Sequence, residues 1–189
     1  VLSIPLTKSE IREIGNPKIV CRSNYNMKCH CCGNIINRGD LITQFLVGEQ
    51  SAKAYMASLA GTADDYRGFN LLLMDEEGLY YFNNRLKLHQ RLEPGIYALS
   101  NRYLDCDWPK VQSTREALGQ CIQSSAALNL EALCDIMQAE GDVRPHSQPF
   151  IVDELYGTRA TTAIIISADN DVRFLEKNYL ESGKPGPVS

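Results

Sequence analysis

Phe69-Asn70-Leu71-Leu72-Leu73-Met74-Asp75-Glu76-Glu77-Gly78-Leu79-Tyr80-Tyr81-Phe82 decides how this 189-residue chain folds. Two apolar runs flank an acidic loop that ends in Gly, a residue able to take the positive φ of a tight turn, so the stretch predicts a β-hairpin. Residues 161–167 and 172–176 flank Ala168-Asp169-Asn170-Asp171 in the same way and predict a second hairpin. Residues 71–74 and 163–166 are apolar at every position, which predicts strands covered on both faces and therefore layers on either side of the sheets.

Helical patterns lie outside and between the hairpins. Leu41, Ile42, Phe45 and Leu46 fall at helical spacing, and Ser51 can cap a second helix with apolar positions Ala54, Tyr55 and Leu59. Leu92-Glu93-Pro94-Gly95 turns the chain into a strand over 96–100. Asp107-Trp108-Pro109 then opens a helix with an early Pro and a cap, its stripe formed by Leu118, Cys121 and Ile122. Asn129 can cap another, with Leu130, Leu133, Cys134 and Met137 on one face. Upstream, residues 18–23 predict a strand, 24–33 a loop, and 9–14 a single helical turn stopped by Gly15-Asn16-Pro17. Residues 139–155 form a long loop of the kind that carries function, and Gly183, Pro185, Gly186 and Pro187 mark 182–189 as a disordered tail behind a single domain over 1–181.

Composition narrows the function classes. With 44% hydrophobic and 22% charged residues the chain is neither disordered nor fibrous. Lys and Arg total 19 against 23 Asp and Glu, a net charge of -4 without a basic cluster, which argues against nucleic acid as a partner. No apolar run has the length of a membrane span, and residues 1–6 lack the features of a signal peptide. Seven cysteines, an odd number, with no secretory signal point to a reducing, cytoplasmic setting rather than a disulfide framework; Cys121 and Cys134 read as small core residues.

Arg38-Gly39-Asp40-Leu41, Tyr66-Arg67-Gly68-Phe69-Asn70-Leu71-Leu72, Leu92-Glu93-Pro94-Gly95-Ile96-Tyr97-Ala98-Leu99-Ser100-Asn101, Asp107-Trp108-Pro109-Lys110 and Tyr156-Gly157-Thr158-Arg159-Ala160-Thr161-Thr162 stand in one order and at intervals. Together they resemble the NRDE family, also called the transport and Golgi organization 2 family. Lys18 to Tyr25 resembles the family strand that ends Thr-Asn-Tyr. The resemblance implies an α+β, N-terminal-nucleophile-hydrolase-like αββα sandwich of antiparallel sheets. It also implies roles in Golgi organisation and secretion or in haem trafficking. Family members begin Met-Cys and carry an Asn-Arg-Asp-Glu signature, whereas residue 1 here is Val and neither feature is present. The expectation is a domain incomplete at its N-terminus, or a divergent member, without the nucleophile that catalysis in such folds requires.

By the same resemblance, Asn24 and Asn101 correspond to amide donors of an oxyanion hole and Arg159 to the Arg that opens a strand beside the nucleophile. Neutral amides and a fixed guanidinium suit a developing oxyanion. Asn in turns also bonds its own backbone, and a Gly-Thr-Arg turn can simply anchor a sheet corner. Cys21, Cys29 and Cys32 make a zinc alternative; one Cys-x-x-Cys knuckle without a second leaves the ligand set short, and a plain loop is preferred. Gly33 excludes the Cys-x-x-Cys-His pattern of covalent haem, while non-covalent haem contact through His30, His89 or His146 stays open. Arg38-Gly39-Asp40 reads as the start of a helix, and Tyr80-Tyr81-Phe82 and Trp108 as packing residues. The reading is therefore a hydrolase-like site, not catalytic as given, for an unknown small-molecule ligand. A non-enzymatic carrier module and a zinc-stabilised interaction domain are the alternatives, and no resident cofactor is assigned.

Overall fold

The computed structural model describes residues 2–4, 19–20, 26–28, 35–124, 128–153, 157–167, 169, 171–180 and 183–188. In chain order the elements are β1 (Leu2–Ile4), β2 (Ile19–Val20), β3 (Asn26–Lys28), β4 (Ile35–Asn37), α1 (Arg38–Val47), α2 (Ala52–Leu59), β5 (Asn70–Asp75), β6 (Gly78–Asn83), β7 (Leu88–Leu92), β8 (Gly95–Tyr97), α3 (Pro109–Gln123), α4 (Leu130–Met137), β9 (Ala160–Ile166), β10 (Val172–Tyr179) and β11 (Pro185–Val188). They fall into two compact units, Leu6–Pro94, and Val1–Pro5 with Gly95–Ser189. All described strand pairs are antiparallel, so the fold is mixed α+β.

The unit Leu6–Pro94 is built on the first hairpin. β5 and β6 pair from Asn70↔Asn83 to Asp75↔Gly78, leaving Glu76 and Glu77 as the turn, and the sheet runs β2-β5-β6-β7. Gly78 has φ +142, the conformation for which the turn needs glycine. One face, Leu71, Leu73, Tyr80 and Phe82, packs with Leu41 and Phe45 of α1 and with Tyr55, Met56 and Leu59 of α2. Leu72, Met74, Leu79 and Tyr81 point the other way and are also buried, so this hairpin is covered on both faces as expected. Each such side chain contributes about 1.5–3 kcal/mol on burial.

Ser51 caps α2 as expected, its Oγ accepting from Ala54 N at 3.3 Å. The buried stripe of that helix is Ala52, Tyr55, Met56 and Leu59, and Ala54, expected on it, is exposed. Residues i, i+3, i+4 and i+7 make the stripe, and Ala54 lies about 200° around the helix from Ala52 and about 100° from Tyr55. The segment expected as a loop over 24–33 contains strand β3, which pairs with β4 through Asn26↔Asn37 and Lys28↔Ile35. Its cysteines, and the expected turn over 9–14, lie outside the described residues.

In the other unit, β1 pairs with β8, and β9, β10 and β11 form a second sheet in the order β11-β10-β9. α4 packs on β9 and β10, with Cys134 fully buried, Asp135 Oδ1 3.1 Å from Lys177 Nζ, and Gln138 Nε2 donating to Tyr179 Oη. Asn129 caps α4 by accepting from Ala132 N at 2.8 Å. Three expectations change here. β9 is not covered on both faces: Thr161 and Ala163 are buried, whereas Ile164 is 50% exposed and its partner Phe174 52%. α4 covers only the face of Thr161, Ala163, Lys177 and Tyr179, and an apolar run carries no information about a second layer. On α3, Val111, Thr114 and Leu118 are the buried positions, with Cys121 half-buried and Ile122 exposed. The cap expected within Asp107-Trp108-Pro109 is Trp108, and it makes no side-chain cap bond. Finally, Pro185–Val188, placed by sequence in a disordered tail, pairs with β10 through Lys177↔Val188 and Tyr179↔Pro185. Among the described residues no helix is long and apolar enough to cross a membrane.

Candidate functional site

The chain after β8 folds back on itself. Ala98 N donates to Asp105 Oδ1 at 2.8 Å and Asp105 N donates to Ala98 O at 2.8 Å, while Leu99 bridges Leu104. Asp105 takes φ +51, a left-handed conformation that short polar side chains tolerate. Within the loop so closed, Ser100 Oγ accepts from Arg102 N at 3.1 Å, a local turn bond, and lies 3.1 Å from the Sγ of buried Cys106. Arg102 pairs with Asp107 at 2.6 Å and lies 5.0 Å from the Tyr103 ring centroid. Arg115 of α3 reaches Asp105 at 3.6 Å. Asn101 sits exposed between Ser100 and Arg102, on backbone pinned from both sides. It is thus an exposed residue on a turn whose geometry is set by other residues.

Arg159 immediately precedes β9. Thr158 N donates to Ile151 O at 2.8 Å, Thr158 Oγ1 accepts from Ile151 N at 3.0 Å, and Arg159 O accepts from Tyr179 N at 2.9 Å. The backbone is thus anchored on both sides of an exposed guanidinium that forms no ion pair among the described residues. Asn101 and Arg159 lie in the same unit, and no hydrogen bond joins them. Asn24, together with Cys21, Cys29, Cys32 and His30, lies outside the described residues. Among the described residues no group of three or more His, Cys, Asp or Glu side chains is placed to hold a metal ion.

The other two histidines are ring-stacked. His89 lies on Phe82 with centroids 6.5 Å apart, and His146 lies on Trp108 at 4.1 Å with the planes 14° apart. The Trp108 and His146 pair joins residues 38 positions apart, with α3 and α4 between them and His146 in a loop without periodicity, so no sequence pattern announces it.

These features define a mixed α+β protein with antiparallel sheets, a hydrogen-bonded turn that presents an asparagine, and an arginine at the head of a strand. Residues 24–181 match the family model for Transport and Golgi organisation 2, and the chain belongs to that family. It is 27% identical to the Transport and Golgi organization protein 2 homolog of Bos taurus over 87% of this chain and 70% of that protein. It is also 27% identical to the homolog of Homo sapiens over 76% of this chain and 62% of that protein, and 26% identical to that of Mus musculus over the same shares. The chain thus spans between 62% and 70% of the length of these relatives.

Proposed function

We propose that this chain is a ligand-binding member of its family, with an N-terminal-nucleophile-hydrolase-like αββα architecture extending through residues 1–181 as one domain. In this reading Asn101 and Arg159 meet the anionic group of a small molecule. The observation that carries the reading is the closed turn over 98–105, which holds an exposed amide on backbone fixed by the paired bonds between Ala98 and Asp105. A preorganised amide and a guanidinium without an ion partner among the described residues are the donors that a carboxylate or an oxyanion needs. The relatives' names refer to transport and Golgi organization, and the reading places this chain in the same work, in the cytoplasm, with haem as the cargo to test first because its propionates are carboxylates.

Haem is titrated into the protein and binding followed by the Soret band. The expected result is binding near micromolar concentration, weakened about tenfold or more by Asn101→Ala and by Arg159→Ala, the loss of roughly one charge-assisted hydrogen bond each. Wild-type protein that leaves the spectrum unchanged removes haem as cargo. Binding that neither substitution alters removes Asn101 and Arg159 from the site.

A further inference from the structure

The N-terminus of α3 carries a second arrangement, separate from Asn101 and Arg159. Trp108 cannot cap the helix with its side chain, and the backbone supplies the missing acceptor: Lys110 N donates to His146 O at 3.1 Å. The loop that brings His146 there is held by its own bonds. Ser147 Oγ donates to Asp142 O at 2.6 Å, and Arg144 N and Nε donate to the Asp142 carboxylate at 2.8 Å each. None of these bonds uses the imidazole. The ring of His146 instead lies flat on Trp108, 4.1 Å between centroids and 14° between planes, while its residue is exposed and takes φ +58. Trp108 itself is anchored against the buried cluster of Ala98, Cys106 and Val111.

Lys110 Nζ stands 5.2 Å from the centroid of the same indole and forms no ion pair among the described residues. The neighbouring carboxylate of Asp107 is already paired, with Arg102 at 2.6 Å. An anchored aromatic plane, a cation over the same indole and the N-terminal end of a fifteen-residue helix are together suited to a flat ring bearing negative charge. What covers the plane now is a small imidazole on an exposed residue in a left-handed conformation uncommon among non-glycine residues.

We propose that the Trp108 face now covered by His146 is a binding platform for a planar aromatic anion, whose ring stacks on Trp108 in place of the imidazole and whose carboxylate or phosphate pairs with Lys110. His146 acts as the displaceable cover. A larger conjugated ring buries more of the indole than imidazole does, and the loop stays in place because its internal bonds and the His146 carbonyl are untouched by the exchange.

Two pairs of probes test this on the whole chain: flavin mononucleotide with riboflavin, and protoporphyrin IX with its dimethyl ester. Binding is read from flavin fluorescence, which stacking on indole quenches, and from porphyrin absorbance. His146→Gly removes the ring, keeps the carbonyl and suits the positive φ; it is expected to tighten binding of the anion about fivefold, because a competitor is gone. Lys110→Gln is expected to weaken it about fivefold and to abolish the preference for flavin mononucleotide over riboflavin, or for the porphyrin diacid over its ester. Binding of one anion only, tightened by His146→Gly, supports the platform and identifies which of the two combinations of ring and acid it takes. No binding of either anion to wild type or to His146→Gly overturns the proposal, as does binding that His146→Gly leaves unchanged or weakens. Since neither substitution touches Asn101 or Arg159, failure here leaves the haem titration above to be judged by itself.

Discussion

Tyr55 shows how a single side chain ties packing to pH. Its ring is buried between α1 and the sheet, and its hydroxyl donates to Leu41 O at 2.7 Å. Burial, with a smaller contribution from the Tyr66 phenol, pushes its pKa up from 10.0 to about 12. The folded state therefore holds the phenol proton more tightly than the unfolded chain does. Stabilisation from this source is complete below pH 10, falls as pH rises, and is gone above about pH 12. The full effect is at most about 2–3 kcal/mol, two pKa units of differential protonation. Urea denaturation at pH 8 and at pH 11.5 is expected to show a larger alkaline loss for wild type than for Tyr55→Phe, which itself loses about 1 kcal/mol at pH 8 with the hydrogen bond. Equal alkaline losses in the two proteins would show that Tyr55 is not the group responsible. The sequence placed Tyr55 on an apolar helix face; it carried no sign of the acceptor, a carbonyl fourteen residues away. Asn84 makes the same point, since its amide serves Phe69 N and the carbonyls of Ala63, Tyr66 and Arg67. Such bonds depend on where separate elements meet, which local pattern does not encode.

Between elements, the decisive contact is Asp75. It ends β5, is only 6% exposed, and accepts from Ala52 N at 2.5 Å through Oδ2 and from Glu77 N at 2.9 Å through Oδ1. One carboxylate thus satisfies the first turn of α2, where the helix dipole favours negative charge, and also shapes the turn between β5 and β6. Asp75→Ala strands two backbone donors and is expected to cost about 2–4 kcal/mol, with Asp75→Asn retaining part of that stability; the midpoints of urea unfolding measure both. If Asp75→Ala unfolds at the wild-type midpoint, the helix and the hairpin are not coupled through this group. The hairpins themselves were legible because turn chemistry and apolar runs are local signals: Gly78 sits where a positive φ is needed, and Ser51 and Asn129 cap the helices that follow them. The candidate site was legible only in its parts. Family motifs marked Asn101 and Arg159, but the closure of the turn by Asp105 and the stacking of His146 on Trp108 arise from loop geometry that has no period. β9 shows the converse failure, for Ala163-Ile164-Ile165-Ile166 reads identically whether one face is covered or two.

That misread strand governs how the whole molecule behaves in solution. Ile164, Val172 and Phe174 are 50%, 60% and 52% exposed on the face of the sheet turned away from α4, and Ile164 and Phe174 are cross-strand partners. Among the described residues β9 is also the end strand of the order β11-β10-β9, and its seven residues, Ala160 to Ile166, include no charge. Natural edges are protected by lysine, proline or bulges, and an uncharged apolar edge beside an open apolar face is a template for pairing with another copy. The net charge of -4 is spread over 189 residues and supplies little repulsion at this strand. The expected outcome is an apparent mass by sedimentation that rises with protein concentration and persists at high salt, because the contact is apolar and not ionic. Ile164→Lys places a charge on the open face at the edge without disturbing the side that α4 covers, and is expected to hold the protein at its monomer mass over the same concentrations. Thr162→Lys, on the same face beside Glu176, whose carboxylate accepts from Thr162 Oγ1 at 2.9 Å, is the more polar control and should reduce association less. A wild-type mass independent of concentration, or association that Ile164→Lys does not change, would place the self-contact elsewhere and leave this edge protected by some means other than charge.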